Sequence, residues 1–158
     1  LKRNIVAVVQ QNIKDIFLQD GLNYAIVDNN NYINRYDYVS SLISQPIPKS
    51  IVNIDKIIPT SSFDYMLTKD KQLYILTRGA SEIHKLIPNV NDVNVSKYHL
   101  ILKENGDLII YNILPQKILE TNVGTDAKLL SCRYILINDK LYFINIIEDE
   151  IELEEIII

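Results

Sequence analysis

This sequence of 158 residues has little of what marks several protein classes. It contains one cysteine, Cys132, no tryptophan and only four glycines. A lone cysteine cannot form an internal disulfide, which argues against a disulfide-stapled secreted domain and favours an intracellular location. No apolar run reaches the ~18 residues of a membrane-spanning helix, and the N-terminal residues lack a secretory signal pattern. We therefore expect neither a membrane span nor a disulfide scaffold.

Basic residues are not clustered, whereas acidic residues are. The formal net charge is −4, and six acidic residues fall within the last eleven positions: Glu148, Asp149, Glu150, Glu152, Glu154 and Glu155. Binding to nucleic acid relies on grouped lysine and arginine side chains that neutralise phosphates. The sequence has no such group, so we expect no direct nucleic-acid ligand.

A β-hairpin pattern is repeated four times along the chain. The copies are "YAIVDNNNYINRY", "YMLTKDKQLYILT", "LILKENGDLIIYN" and "YILINDKLYFIN", and their matched apolar positions are Ile26, Leu67, Leu102 and Leu136. Each copy has two β-forming runs joined by a polar turn, which is the usual hairpin signal. Internal repeats of this kind indicate a repeated structural unit.

Short extended segments flank every hairpin. "IKDIFL", "IDKIIP", "VNDVNV" and "TDAKLL" precede the four copies, and "YVSSLI", "HKLIPN", "KILETN" and "EIELEE" follow them. The pattern predicts four units of four antiparallel strands, at about 13–50, 51–89, 90–122 and 123–158. Residues 3–10 read as a lone additional strand. The proline-containing stretch "SSLISQPIPKS" reads as an irregular loop leaving the rim, because proline resists ladder pairing.

Repeated four-stranded units predict an all-β fold, a β-propeller-like array of about four blades within a single domain, 1–158. Strands such as "LIIYNIL" are apolar on both faces, as expected where sheets stack between neighbours. Four blades could close a small ring or form part of a larger or incomplete one. A β-trefoil also suits this length, but it needs three units rather than four.

The order of apolar strand, "Tyr-x-Leu", turn and "Leu-Tyr-Ile" resembles the repeats of the regulator-of-chromosome-condensation family of propellers. The closest match is "KIIPTSSFDYMLTKDKQLYILTRG", followed by "VNVSKYHLILKENGDLIIYN". These repeats are divergent, since most of the family's glycines are missing. The resemblance implies a propeller that binds other proteins through its loops, and it transfers no catalytic residue.

Candidate catalytic residues are few. His84 and His99 are the only histidines, and no glycine-containing nucleophile motif surrounds Ser81 or Cys132. Two histidines and one cysteine far apart do not make a zinc site. "DNNN" at 28–31 and "KENGD" at 103–107 lack the spacing of a calcium loop and read as hairpin turns. We expect no catalytic, cofactor or metal site.

The acidic C-terminal segment is the candidate partner-binding edge. Its charges suit an edge strand that discourages aggregation, and its apolar side chains could instead add to the sheet of a partner. Those side chains belong to Ile151, Leu153, Ile156, Ile157 and Ile158. The terminal strands could also mediate self-association.

Three functions are compatible with these features. The leading hypothesis is a non-catalytic protein-interaction scaffold. The second is a structural component of a large assembly such as a virion, since the abundance of Ile and Asn is typical of an A/T-rich genome. The third is a fragment of a propeller hydrolase or lyase, which requires polar groups at matching positions of successive units. We expect aliphatic residues at those positions, which disfavours the third function.

Overall fold

The computed structural model describes residues 12–18, 23–37, 40–60, 62–79, 82–112, 116–131 and 133–157. Sixteen β-strands lie within these ranges. No helix in the described ranges is long and apolar enough to cross a membrane. The predicted lone strand at 3–10 lies outside them.

The strands form four antiparallel sheets, each made of four strands that are consecutive in the chain. The first sheet contains β1 (Ile13–Leu18), β2 (Asn23–Asp28), β3 (Tyr32–Asp37) and β4 (Ser40–Pro46); the second contains β5 (Ile54–Pro59), β6 (Phe63–Thr68), β7 (Leu73–Thr77) and β8 (Ile83–Ile87); the third contains β9 (Val90–Val95), β10 (His99–Lys103), β11 (Asp107–Tyr111) and β12 (Lys117–Asn122); the fourth contains β13 (Lys128–Leu129), β14 (Tyr134–Ile137), β15 (Lys140–Ile147) and β16 (Glu150–Glu155). This arrangement confirms the predicted four-stranded units and excludes the β-trefoil.

The central hairpin of each sheet turns where the sequence predicts it. In the first and third sheets a three-residue loop ends at Asn31 and at Gly106, which have positive φ. In the second sheet the N–H of Thr68 donates to the carbonyl of Gln72 and closes a three-residue loop, 69–71, that ends at Lys71, also with positive φ. Three-residue hairpin loops commonly place their last residue in this left-handed region. In the fourth sheet Asn138 and Asp139 both have positive φ, as a two-residue type I′ turn requires.

The predicted register of the first repeat is wrong by one residue. Val27 pairs with Ile33 and lies in the core facing the second sheet, whereas Ile26 lies on the opposite face. The residue equivalent to Leu67 is therefore Val27. A shift of one residue moves a side chain to the other face of a sheet, and the neighbouring "AIV" is apolar at both candidate positions.

The sheets stack in chain order, with an aliphatic core at each junction. The first and second sheets enclose Ala25, Val27, Ile57 and Met66 among others. Tyr65, Leu73, Val93 and Ile101 contribute to the junction of the second and third sheets, and Leu100, Leu108, Ile135 and Ile144 to that of the third and fourth. A buried aliphatic side chain contributes ~1.5–3 kcal/mol relative to exposure, so stacking dominates stability.

The stretch "SSLISQPIPKS" is not the irregular loop that its prolines suggested. Its first seven residues form β4, and Pro46 is paired with Tyr32 of β3. Because β4 is an outer strand of its sheet, proline there removes no ladder bond from a central position. Only the following residues, from Ile47 onward, leave the sheet.

Candidate interaction surfaces

The two histidines lie in different sheets and have different surroundings. His99, on β10, is buried, and its Nδ1 lies 2.9 Å from the hydroxyl oxygen of Tyr65 on β6. Burial lowers the pKa of His99. Burial also raises the pKa of Tyr65, and electrostatic repulsion from Tyr111 raises it further. His84 is exposed on β8. The pair of His99 and Tyr65 is therefore a hydrogen-bonded part of the core.

The remaining catalytic and metal candidates are not brought together among the described residues. Ser81 and Cys132 lie outside the described ranges. Within those ranges, no group of three or more histidine, cysteine, aspartate or glutamate side chains could hold a metal ion. The absence of a catalytic site remains a prediction.

Both segments considered as calcium loops are hairpin turns. The Oδ1 atom of Asp28 accepts hydrogen bonds from the backbone N–H groups of Asn30 and Tyr32, at 2.9 and 3.1 Å. In the other turn, hydrogen bonds from Asn122 and Asn105 lower the pKa of Asp107. These carboxylates serve to fix turn geometry.

A buried charged cluster joins the first two sheets. Asp64 on β6 is fully buried, and both of its oxygens lie 2.9 Å from Nε of Arg35 on β3. The Nη2 atom of Arg35 donates to Asp64 and, at 2.9 Å, to Gln45. Arg78 approaches the same carboxylate at 3.4 Å, and burial lowers its pKa. Two guanidinium groups thus share one carboxylate, which fixes the two sheets in one register.

The first strands of the four sheets carry charges of alternating sign at one register position. Asp15 pairs with Val27, Lys56 with Leu67, Asp92 with Leu102, and Lys128 with Leu136. The expectation of aliphatic residues at matching positions is therefore wrong for these strands. In β1, β5 and β9 a register irregularity adjoins this position, and such bulges re-aim side chains.

One of these charges already crosses a junction. Lys56 Nζ lies 2.9 Å from Asp92 Oδ1 and donates to the carbonyl of Val93 at 2.8 Å. The second and third sheets are thereby linked at their first strands. The alternating charge is present in the segments "IKDI", "IDKI", "VNDV" and "DAKL". The spacing of aliphatic residues alone does not reveal it.

A cleft of about 430 Å3 opens between the first and second sheets. Lys14, Asp15 and Lys49 contribute charged side chains to its lining, and Phe17 and Ile51 contribute apolar ones. The volume falls within the range of small-molecule pockets. Its mixed lining could accept a side chain from a partner as readily as a small ligand.

The predicted binding edge divides into two parts. Ile151 and Leu153 lie half-buried against the core between the third and fourth sheets. Ile156 and Ile157 are exposed, Ile157 by 86%. Ile158 lies outside the described residues. Only the last part of the segment can therefore offer apolar side chains directly to a partner.

The face of the fourth sheet that points away from the third is a surface that the sequence interpretation missed. It presents Tyr134, Leu136, Leu141 and Phe143 from β14 and β15, which pair across the two strands. Glu150, Glu152 and Glu154 of β16 continue this face and are exposed. The face is apolar on its central strands and acidic on its outer strand.

Comparisons with known proteins detect similarity only at the level of structure. No family model and no curated protein matches the sequence. Among solved structures, Kluyveromyces lactis Hsv2 matches with a TM-score of 0.55 and 13% identity over 87% of this chain and 47% of that chain. The N-terminal domain of Nup159 matches with a TM-score of 0.54 and 13% identity over 92% of this chain and 48% of that one.

The fold is a β-propeller-like array. The sheets, their order and these two likenesses agree on that point. At 13% identity the likeness extends to the fold alone. The chain spans about half the length of the solved propellers that it matches.

Proposed function

We propose that this propeller-like chain is a non-catalytic module that binds other proteins, with β16 as the edge to which a partner strand adds. The observation that carries the proposal is the position of β16. It is the outer strand of its sheet, has no neighbour on its far side among the described residues, and is followed by the exposed Ile156 and Ile157. An exposed edge with adjacent apolar side chains is the geometry used in strand addition.

The backbone of β16 determines which groups a partner strand could use. The N–H of Ile156 donates to the carbonyl of Leu141 at 2.8 Å and so points into the sheet. Successive N–H groups of a strand point in opposite directions. The N–H of Glu155 therefore points outward, where it could donate to a partner strand.

The experiment compares the wild-type chain with Glu155→Pro and Glu155→Ala as baits, using extract from the source organism. Proline removes the outward N–H of this edge residue and is tolerated on edge strands. Both variants lose the same exposed ion pair with Lys140, so alanine is the matched control. We expect the wild type and Glu155→Ala to retain the same proteins, and Glu155→Pro to lose them.

Equal capture by all three baits would exclude β16 as the binding edge. Failure of the wild type to capture any protein, together with turnover of a small substrate, would contradict a non-catalytic module.

Three finer points belong to the same proposal. They are descent from the regulator-of-chromosome-condensation type of repeat, an intracellular location, and self-association through the terminal strands. The hairpin pattern supports the first, and the single cysteine supports the second.

A further inference from the structure

We infer that the cleft between the first and second sheets, the first cleft, binds a small organic acid in its carboxylate form. The carboxylate lies at the lysine-bearing mouth of the cleft, and an apolar body lies against its floor. This inference is independent of strand addition at β16, because β16 belongs to the fourth sheet.

The first cleft is open because the charged residue of β1 does not cross to the next sheet. On β5 the matched residue, Lys56, reaches across the second junction to Asp92 and to the carbonyl of Val93. Asp15 occupies the same position on β1, but its shorter side chain accepts a hydrogen bond from the N–H of Ile16, 2.8 Å away on its own strand. A space of about 430 Å3 remains at the first junction.

The third junction repeats this relation between an aspartate and a cleft. The third cleft, between the third and fourth sheets, has a volume of about 420 Å3 and is lined in part by Asp92 and Leu102. These residues match Asp15 and Val27 of the first cleft, because each aspartate pairs with the apolar residue named beside it. Both clefts therefore occur where the first strand of the preceding sheet carries an aspartate at this position.

The floor of the first cleft is apolar. Val27 and Ile51 are buried, and Phe17 and Ile54 pack against the same core cluster. Small-molecule pockets of this size bury most of the ligand surface against apolar side chains, and a few polar groups fix its orientation. The floor therefore favours a ligand with an apolar body.

The mouth of the first cleft supplies polar groups that have no partner among the described residues. Lys14 and Lys49 are exposed and form no ion pair there. The amide side chains of Asn31 and Asn53 line the same cleft and form no hydrogen bond with the described part of the chain. Asp15 is the one acidic residue in the described lining, so lysine is in excess. Ammonium and amide N–H groups are donors that a carboxylate accepts.

Charge distinguishes the first cleft from the third. The described lining of the third cleft contains two aspartates, Asp92 and Asp126, and one lysine, Lys128. Its excess charge is therefore negative, and an anionic ligand suits only the first cleft. A side chain inserted by a partner protein would also meet a mixed lining, but no single side chain combines a carboxylate with a bulky apolar body. The two features together favour a free organic acid.

The test compares naphthoate with naphthamide, a neutral molecule of nearly the same shape, as ligands of the purified chain. Titration of the isotope-labelled protein, followed by NMR, measures the affinity and locates the site. We expect naphthoate to bind about 10-fold more tightly, because the lysines add charge-assisted hydrogen bonds. The backbone amide signals of Val27, Asn31 and Asn53 should shift during the titration.

Charge variants test the role of the mouth. Lys14→Gln and Lys49→Gln should each weaken the binding of naphthoate several-fold and leave that of naphthamide unchanged. Asp15→Asn should strengthen the binding of naphthoate, because it removes a negative charge and keeps the oxygen that accepts from Ile16. Partial unfolding cannot account for a variant that binds more tightly. Lys128→Gln, in the third cleft, is the matched control and should change neither affinity.

Four results would overturn the inference. They are equal affinities for naphthoate and naphthamide, no binding of naphthoate up to its solubility limit, signal shifts confined to the outward face of the fourth sheet, and a naphthoate affinity that none of the three variants of the first cleft changes.

Discussion

Replacing Asp64 with asparagine should destabilise this protein more than any other single isosteric change at a charged residue. The side chain of Asp64 is fully buried and accepts hydrogen bonds from Arg35, which is 1% exposed. Arg78 lies 3.4 Å from the same carboxylate. Asp64→Asn preserves shape but leaves two guanidinium groups without their counter-charge. Breaking a buried pair by removing one partner typically costs ~3–5 kcal/mol.

The same geometry predicts that removing Arg35 and removing Asp64 have unequal costs in free energy of unfolding. Arg35→Met should cost less than Asp64→Asn, because Asp64 would retain Arg78 as a partner. Arg35→Met combined with Asp64→Leu removes both charges of the buried pair and leaves only Arg78, 13% exposed, without its counter-charge. Apolar replacement of a buried pair is often near neutral. The double variant should therefore be more stable than the sum of the separate Arg35→Met and Asp64→Leu effects predicts, by roughly 2 kcal/mol or more.

Urea denaturation followed by circular dichroism measures these differences, since domains unfold with ~5–15 kcal/mol. Lys140→Gln, which removes one side of an exposed ion pair with an N–O distance of 3.8 Å, should leave the midpoint essentially unchanged. A cost of Asp64→Asn below ~1 kcal/mol, or additivity of the two changes, would refute the view that this cluster locks the first two sheets together.

Three further predictions concern turns and the core. Gly106→Ala should lower the free energy of unfolding by more than ~2 kcal/mol, because a Cβ at φ +89° would lie 2.5 Å from the backbone of Gly124. Gly79→Ala, at φ +84° with open space around it, should lower it by only ~1 kcal/mol. Asp139→Gly should stabilise the chain by a few tenths to ~1 kcal/mol, because it creates an Asn-Gly type I′ turn at a residue with φ +60°. Stability should decrease as the pH is lowered from about 7 to about 5.5, because the pKa of His99 is lowered in the folded state relative to ~6.5 in the unfolded chain.

Chemical denaturation measures the first two effects, and equal losses for the two glycine variants would contradict the contact with Gly124. A destabilised Asp139→Gly variant would mean that the Asp139 side chain contributes more than its backbone strain costs. For the pH effect the folded state carries fewer protons than the unfolded state, so stability rises with pH. His99→Gln should flatten the slope in that range, and an unchanged slope would assign it to other groups.

Hairpins were predictable from sequence because their signals are local. Turn residues such as Asn105-Gly106 lie between alternating β-forming runs, and those short-range preferences hold regardless of what packs against the hairpin. The register of the first repeat was not predictable in this way. In "YAIVD" either Ile26 or Val27 could face the next sheet, and only the packing of Val27 against the second sheet decides between them.

The charged positions show the same division. Asp64 and Arg35 are separated by 29 positions in the chain, and nothing local in either strand indicates that they meet. The alternating charges of the first strands are present in the sequence. Only the register of each strand, with the bulges in β1, β5 and β9, shows that these charges occupy matched positions. The sequence predicted a loop at Pro46 for a related reason. Proline is tolerated on an edge strand, and only the sheet order shows that β4, which contains Pro46, is such a strand.

By itself, the sequence determined that the chain forms repeated four-stranded β units, because alternation of side chains and turn chemistry are properties of neighbouring residues. The tertiary structure alone decided which faces are covered, which charges meet and which apolar surface is left open. Those outcomes depend on the stacking of whole sheets, in which residues from separate repeats come within contact distance.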